Sequence, residues 1–583
     1  MASIQNTNQS FLSRTIKIGN VSMGGLNPIR VQSMTSTNTL NTHKTVEQSI
    51  RMIEAGCELV RITTPTIKEA KNLATIKQRL KEAGYEVPII ADIHFNAKVA
   101  EHAAKLVEKI RINPGNYTGA PSKLKTNLSE HEYQLELEKT AGNLEPLLKV
   151  CKEYGTVIRV GVNHGSLAER VIHKYGNTPT GMVASAMEFI KICEAFQFQN
   201  LVLSMKSSNL KIMVQAYRLL AKKMMDAGMD YPLHLGVTEA GNGLYGRIKS
   251  TAGISTLLQE GIGDTIRVSL TEAPENELVF AKKLVQLYDR ATEKQNSGLS
   301  VFNTINPFEY HRRNTILIDQ IVGGAKPPIV ISSLKNEEAD FIFDKTQNLL
   351  LGKEKKFKIV QVEEETNQAK NFVELKLPLS KQKIKLLNQE LVLLISAKKD
   401  QPVSEIKKGI SFLIEQNIKN PVVVKRTYRY NDFDELLIKA SAEFGSLLID
   451  GLIDGVWIEN EKFNNKISPL SFRILQACGS RITSTEFIAC PSCGRTKFNI
   501  EKAFEEVKKE TYHLKGLKIA VMGCVVNGPG EMADADYGYI GAGNGKVNLY
   551  KSRELIKQGV DEKNAVFELV ALIKKYGDWK DKN

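Results

Sequence analysis

Cysteine is scarce in this chain: Cys57, Cys151, Cys193, Cys478, Cys490, Cys493 and Cys524 are all there is among 583 residues. An odd number so unevenly spread excludes a disulfide framework and leaves the thiols as packing groups or metal ligands. Long apolar runs are missing too. Nothing approaches the roughly 18 residues a membrane helix needs, so no spanning segment and no membrane partner are expected. The opening MASIQNTNQSFLSRTIKIGN is polar, without the apolar stretch of a secretory signal, and a cytoplasmic protein is the expectation. Aromatics make up only 7%, and no aromatic–basic RNA motif or zinc finger is present, so no nucleic-acid partner is expected. The remaining composition, 42% hydrophobic and 25% charged, excludes disordered and fibrous chains and allows about two to four domains.

Acidic residues are outnumbered, 65 against 79 Lys and Arg, giving a net charge of +14. Such an excess raises nucleic acid, anionic lipid or a phosphorylated small molecule as partner. The lysine runs GKEKKFK (352–358), KQKIK (381–385) and KKYGDWKDK (574–582) read as solvated faces.

From residue 29 to about 292, Val- and Ile-rich segments alternate with amphipathic ones. Strands are predicted at 28–34, 57–64, 87–94, 107–113, 156–163, 200–206, 232–239 and 264–270, separated by stretches with apolar residues three and four apart. Eight such units in about 260 residues predict a (β/α)8 TIM barrel over 1–292. An open doubly wound sheet is the rival, but no G-x-G-x-x-G follows the first strand. Residues 293–480 are richer in lysine, with weaker strands at 328–333, 357–362, 390–396, 420–426 and 455–459. They read as an α/β insert, a smaller or degenerate barrel. Residues 481–583 form a compact α+β segment with two cysteine clusters, a Gly-Pro-Gly loop and a final amphipathic helix.

In a barrel the carboxyl ends of the strands form the active face. Those ends carry Arg61, Asp92 and His94, Arg111 and Asn113, Arg159 and Asn163, Ser204 and Lys206, Glu239, then Arg267 and Ser269. Five strands thus aim a cation at one mouth. Any one of them fits a strand-end ion pair. Together they repel unless an anion sits among them, and guanidinium forks match phosphate oxygens, so a polyanion such as a diphosphate is the expected ligand. Asp92 and His94, two apart on a strand, face one side and form either an acid–base or a positioning pair.

The second constellation is C-x2-C-x30-C-x6-E: Cys490, Cys493, Cys524 and Glu531. Structural zinc wants four closed ligands, and His513 is the only candidate for the fourth. Three thiolates and a weaker ligand suit a [4Fe–4S] cluster with one iron open to substrate. Gly528, Pro529 and Gly530 let the backbone turn round the sulfides and return the Glu531 carboxylate toward that iron. Spacing alone leaves structural zinc open. The other four cysteines lie in apolar periodic contexts and read as buried thiols.

RINPGN (111–116), RVGVNHGSL (159–167), GVTEAG (236–241), GIGDTIRVSL (261–270), ACPSCGRT (489–496) and GCVVNGPGE (523–531) together resemble the 4-hydroxy-3-methylbut-2-enyl diphosphate synthases, iron–sulfur enzymes of the methylerythritol phosphate route to isoprenoids. The resemblance covers about 11–292 and 481–583. The middle block resembles the insert of the three-domain form, and loop 117–141 is longer than in the short form. The resemblance implies two-electron reductive ring opening of 2-C-methyl-D-erythritol 2,4-cyclodiphosphate. It also implies a [4Fe–4S] cluster on Cys490, Cys493, Cys524 and Glu531, with flavodoxin or ferredoxin as electron donor. Glu239 is then the proton donor or substrate-orienting group, and Asn527 a hydrogen-bonding partner near the cluster. The short form closes barrel on cluster domain between two chains; the insert is expected to act as a rigid spacer that lets one chain close on itself. A pterin-binding-type barrel transferase with structural zinc, and a basic RNA-binding protein with a structural metal, are the competing readings.

Overall fold

The eight βα units of the first half fold where the apolar alternation puts them. The computed structural model describes residues 11–93, 96–116, 128–288, 305–334, 338–353, 355–361, 371–397, 402–490, 493, 494, 496, 498–524, 532, 535–543 and 545–582. An antiparallel hairpin, β1 (Ile16–Ile18) and β2 (Val21–Met23), comes first. Eight parallel strands follow: β3 (Arg30–Met34), β4 (Leu59–Thr63), β5 (Ile89–Asp92), β6 (Lys109–Ile112), β7 (Val157–Asn163), β8 (Leu201–Lys206), β9 (His234–Leu235) and β10 (Thr265–Ile266). They pair in the order β8-β7-β6-β5-β4-β3-β10-β9, and a parallel bridge from Leu203 to Leu233 closes the ring. Ile16, Ile18 and Met23 of the hairpin pack against Leu59, Ile90, Val157 and Val202. This apolar floor seals the amino end of the barrel, so a ligand enters only from the carboxyl end.

The insert is also a barrel, as its weaker strands hinted. It comprises β11 (Ile329–Ser332), β12 (Phe341–Asp344), β13 (Leu349–Leu351), β14 (Lys356–Gln361), β15 (Phe372–Lys376), β16 (Val392–Ser396), β17 (Val422–Thr427) and β18 (Gly455–Glu459). Its five predicted strands are present; β12, β13 and β15 are additional, and β13 runs antiparallel to both neighbours. Phe341, Phe357 and Phe372 meet edge to face at 5.6 Å to 6.1 Å, with Trp457 in the same buried cluster. An interior filled by aromatic rings leaves no room for a ligand there.

The two barrels are joined by a close helix crossing and a buried ion network. Helix Phe433–Ile449 lies on barrel helix Gly243–Leu258 so tightly that a Cβ on Gly445 would stand 2.6 Å from Ala252 Cβ. Beside it Arg218 donates to Glu260 at 2.8 Å and to Asp450 of the insert at 2.7 Å, and Lys407 Nζ lies 2.7 Å from Asp450. Arg218→Ala leaves two buried carboxylates with one cation between them, and is expected to destabilise the chain by about 3 kcal/mol in chemical unfolding.

The C-terminal sheet runs β19 (Glu486–Ala489), β20 (Lys518–Met522), β21 (Tyr537–Gly543), β22 (Lys546–Lys551) and β23 (Glu554–Asp561), parallel at first and antiparallel from β21 onward. It docks on the barrel of its own chain. Ala489 bridges Ala240 in parallel, Lys249 Nζ lies 3.0 Å from Glu486, and a Cβ on Gly494 would come within 2.5 Å of the Thr37 carbonyl. Thr37 and Ala240 both follow barrel strands, so the contacts sit at the carboxyl-end rim. No described helix is long and apolar enough to cross a membrane.

Candidate functional site

Of the strand-end residues expected at the mouth, Arg61, Asp92, Arg111, Asn113, Arg159, Asn163, Lys206, Glu239, Arg267 and Ser269 converge there and are buried, whereas Ser204, also buried, lies one inward position beneath Lys206. Alternation puts them inside because the outward residues of the same strands, such as Ile62 and Val160, face the helix layer. Asp92 holds the first two cations. Arg61 Nη2 donates to its Oδ1 at 2.6 Å, and Arg111 Nη1 lies 3.7 Å from the same oxygen. Burial, partly offset by Asp92, brings the Arg61 pKa down to about 10. Arg267 is anchored by Glu277, at 3.5 Å, which in turn accepts from Ser33 Oγ at 2.6 Å and the Leu270 amide at 2.8 Å.

Among the described residues the remaining cations, Arg159 and Lys206, make no ion pair with a carboxylate. Nε and Nη1 of Arg159 are buried with no hydrogen-bond partner among the described residues. Burial, then Arg159, Arg61, Arg267 and Arg111, hold the Lys206 ammonium pKa well below its usual range. Such a mouth is complementary to a compact polyanion.

Two glycines make this crowding possible. A Cβ on Gly161 would lie 2.5 Å from Arg111 Nε, and one on Gly236 would lie 2.9 Å from Lys206 Nζ. Both glycines, like Glu277, escaped the sequence reading, although the glycines stand inside quoted motifs. Glu239 stands at the rim in the left-handed region, φ 49°, with Oε2 buried and unpartnered among the described residues. A non-glycine residue held there is strained, and such strain gathers at functional positions.

Ala240, next after Glu239, is the residue bridged to Ala489, and Cys490 comes next. Bridge geometry therefore sets the Glu239 and Cys490 backbones on the order of 10 Å apart. Cys490 and Cys524 follow the ends of the paired strands β19 and β20, and the Gly523 amide between strand and thiol donates to Cys490 Sγ at 3.1 Å. Cys493 is buried nearby in sequence, its amide donating to Thr496 Oγ1 at 3.2 Å. None of the three is in a disulfide, and among the described residues no three His, Cys, Asp or Glu side chains are already gathered as a metal site. The donor chemistry fits an iron–sulfur group: soft sulfur ligands with a backbone N–H aimed at one sulfur. His513, the candidate fourth zinc ligand, instead shares a 2.8 Å hydrogen bond with the Lys580 carbonyl and lies edge-on to Trp579. His94, Asn527 and Glu531, with Gly528 to Gly530 and residues 117–127 of the expected loop 117–141, lie outside the described residues, and residues 130–141 of that expected loop are instead the start of helix Glu130–Tyr154.

The other cysteines are the packing thiols expected. Cys57, Cys151, Cys193 and Cys478 are buried, and burial pushes the thiols of Cys57, Cys193 and Cys478 up to about 12.

Residues 13–282 match the family description GcpE TIM-barrel domain, and residues 486–575 match GcpE protein C-terminal domain. Similar proteins named 4-hydroxy-3-methylbut-2-en-1-yl diphosphate synthase (flavodoxin) include one of Parabacteroides distasonis, 43% identical over 97% of this chain and 98% of that relative. One of Porphyromonas gingivalis is 40% identical over 97% of each chain, and one of Leptospira interrogans is 38% identical over 98% of this chain and 97% of its own. The matches run through the insert, so these relatives share the longer form.

Proposed function

The chain belongs to the GcpE family, and from that premise we propose that it reduces 2-C-methyl-D-erythritol 2,4-cyclodiphosphate to 4-hydroxy-3-methylbut-2-enyl diphosphate. The observation that carries this reading is the Ala240–Ala489 bridge, which sets a cysteine-bearing strand end over a mouth of clustered cations. The transferase reading has no use for that arrangement, and His513, the candidate fourth ligand for zinc, is hydrogen-bonded instead to the Lys580 carbonyl.

Roles follow from position. Arg111, Arg159 and Lys206, with Arg61 and Arg267 fixed by their carboxylates, hold the diphosphate. Its leaving oxygen gains charge as the ring opens, and donors already in place stabilise that charge without reorganising. Asn113, Asn163, Ser269 and, from the sequence pattern, His94 orient the ring. Glu239, buried and aimed from the rim, protonates the departing hydroxyl or orients it. Cys490, Cys493 and Cys524, with Glu531 from the sequence pattern as an exchangeable fourth ligand, hold a [4Fe–4S] cluster, and Asn527, also from the sequence pattern, serves it as a hydrogen-bonding partner. That group supplies, when bound, the two electrons that side chains cannot. Flavodoxin, named in the relatives, is read as the donor. Anaerobically purified protein is expected to carry about four iron and four sulfide per chain; stoichiometric zinc without sulfide contradicts the assignment.

On this reading residues 1–292 bind substrate, 481–583 carry the cluster, and the insert 293–480 is a rigid spacer. Its interior is filled, and its ion network fixes it to the barrel, so closure happens within one chain. A mixing experiment checks this: coexpress Lys206→Ala, broken at the mouth, with Cys524→Ser, broken at the cluster. Mixed oligomers are expected to stay inactive, because every site retains one defect; appreciable recovered activity means closure between chains.

A further inference from the structure

Beneath the mouth lie polar groups to which the reaction above gives no work. Lys109 opens β6 and points inward with Arg111, two residues on. Its neighbours in register are Ile90 on β5 and Val157 on β7, both members of the apolar floor. Lys109, Ser204 on β8 and His234 on β9 are each 0% exposed. Lys109 Nζ, Ser204 Oγ and both ring nitrogens of His234 have no hydrogen-bond partner among the described residues. Ser204, expected to touch substrate, thus sits one inward position below Lys206, in this inner tier.

A charged ammonium against Ile90 and Val157, with no acceptor among the described residues and arginines above it, is strongly disfavoured. Burial, then Arg159 and Arg61, hold the Lys109 pKa well below the usual lysine range. Burial, then Arg159, Lys206, Lys109 and Arg61, likewise depress His234. The groups facing this tier come from every side. Arg61 stands on β4, Asp92 on β5, Arg111 on β6, Arg159 on β7 and Lys206 on β8, while Tyr217 of helix Leu210–Asp226 donates to the His234 carbonyl. Gln32 and Thr265 satisfy each other at 2.7 Å. Charge on the Lys109 amine and on the His234 imidazole is therefore disfavoured in this tier, and both carry a lone pair that can accept a proton.

The reaction changes the charge above them. The cyclic diphosphate is a dianion; two electrons and one proton convert it to the linear trianion and water. One C–O bond to phosphate breaks, the hydroxyl leaves as water, and the freed phosphate oxygen carries the extra charge. We propose that Lys109, supported by His234 and Ser204, is a charge-compensating proton site that takes up a solvent proton as negative charge builds at the mouth and releases it when product leaves. No electron moves in this step; the amine lone pair binds H+ and the ammonium answers the added charge. The inference rests on the cyclodiphosphate reaction proposed above.

Calorimetric titration of the cluster-loaded protein at about pH 8, in two buffers of different ionisation enthalpy, counts the protons. Linear product is expected to bring in more protons than the cyclic substrate, by up to one per site. Lys109→Met, and Lys109→Gln as a second variant that keeps a polar end, should lose that difference while still binding both ligands. A purely structural lysine moves melting temperature or affinity but not the proton count. Binding with an unchanged proton difference in either folded variant overturns the proposal. Failure of the wild-type protein to bind either diphosphate overturns the substrate reading itself, and this inference with it.

Discussion

Cys524→Ser is expected to lose the brown chromophore and all measurable turnover together. A serine hydroxyl is a hard, poorly ionised donor, whereas an iron–sulfur group needs thiolate. Cys524 is separated from the end of β20 by one residue, Gly523, whose amide donates to Cys490 Sγ, so the substitution removes one ligand without disturbing the sheet. Iron and sulfide analysis with the visible spectrum checks it, and the melting temperature should change little because Cys524 is only partly buried. Cys478→Ser is the contrast: its buried thiol, pushed up to about 12 by burial, packs between domains, so colour and activity should survive with a modest loss of stability. Full iron content and activity in Cys524→Ser would show the ligand assignment to be wrong.

Lys206→Ala should strike the other half of the site. Lys206 is held among four guanidiniums with burial against it, a state that only a bound anion relieves. Truncating one member of a buried charge-assisted contact costs about 2–5 kcal/mol, so kcat/KM is expected to fall by roughly a hundred- to a thousandfold or more. Arg159→Ala should behave alike, and the cluster spectrum should stay intact in both because the ligands lie on a different sheet. Loss of cluster from either variant would point to a folding role instead.

Much of this was legible in the sequence, and the reasons differ by residue. The first barrel announced itself because each strand is an apolar run bounded by turns, and the mouth because alternation carries Arg61, Arg111, Arg159, Lys206 and Arg267 to one end. In the insert, β12, β13 and β15 are three to five residues long, too short for alternation to separate them from loop. Gly161 and Gly236 were visible as letters but not as spaces, since what they admit is an arginine and a lysine from other strands. Lys109 was hidden among ordinary strand residues: nothing in VEKIRIN tells that its amine finds no partner among the described residues. The bridge from Ala240 to Ala489 joins distant parts of the chain through backbone alone, which no residue pattern records.

Turnover by the intact chain tests the account most directly. Anaerobic protein reconstituted with iron and sulfide, given the cyclodiphosphate and reduced flavodoxin, should yield the linear hydroxybutenyl diphosphate with two electrons consumed per molecule. The same product should appear with a strong small-molecule one-electron reductant in place of flavodoxin. A fully loaded protein that binds the cyclic diphosphate yet leaves it unconverted with both reductants would contradict the proposed function.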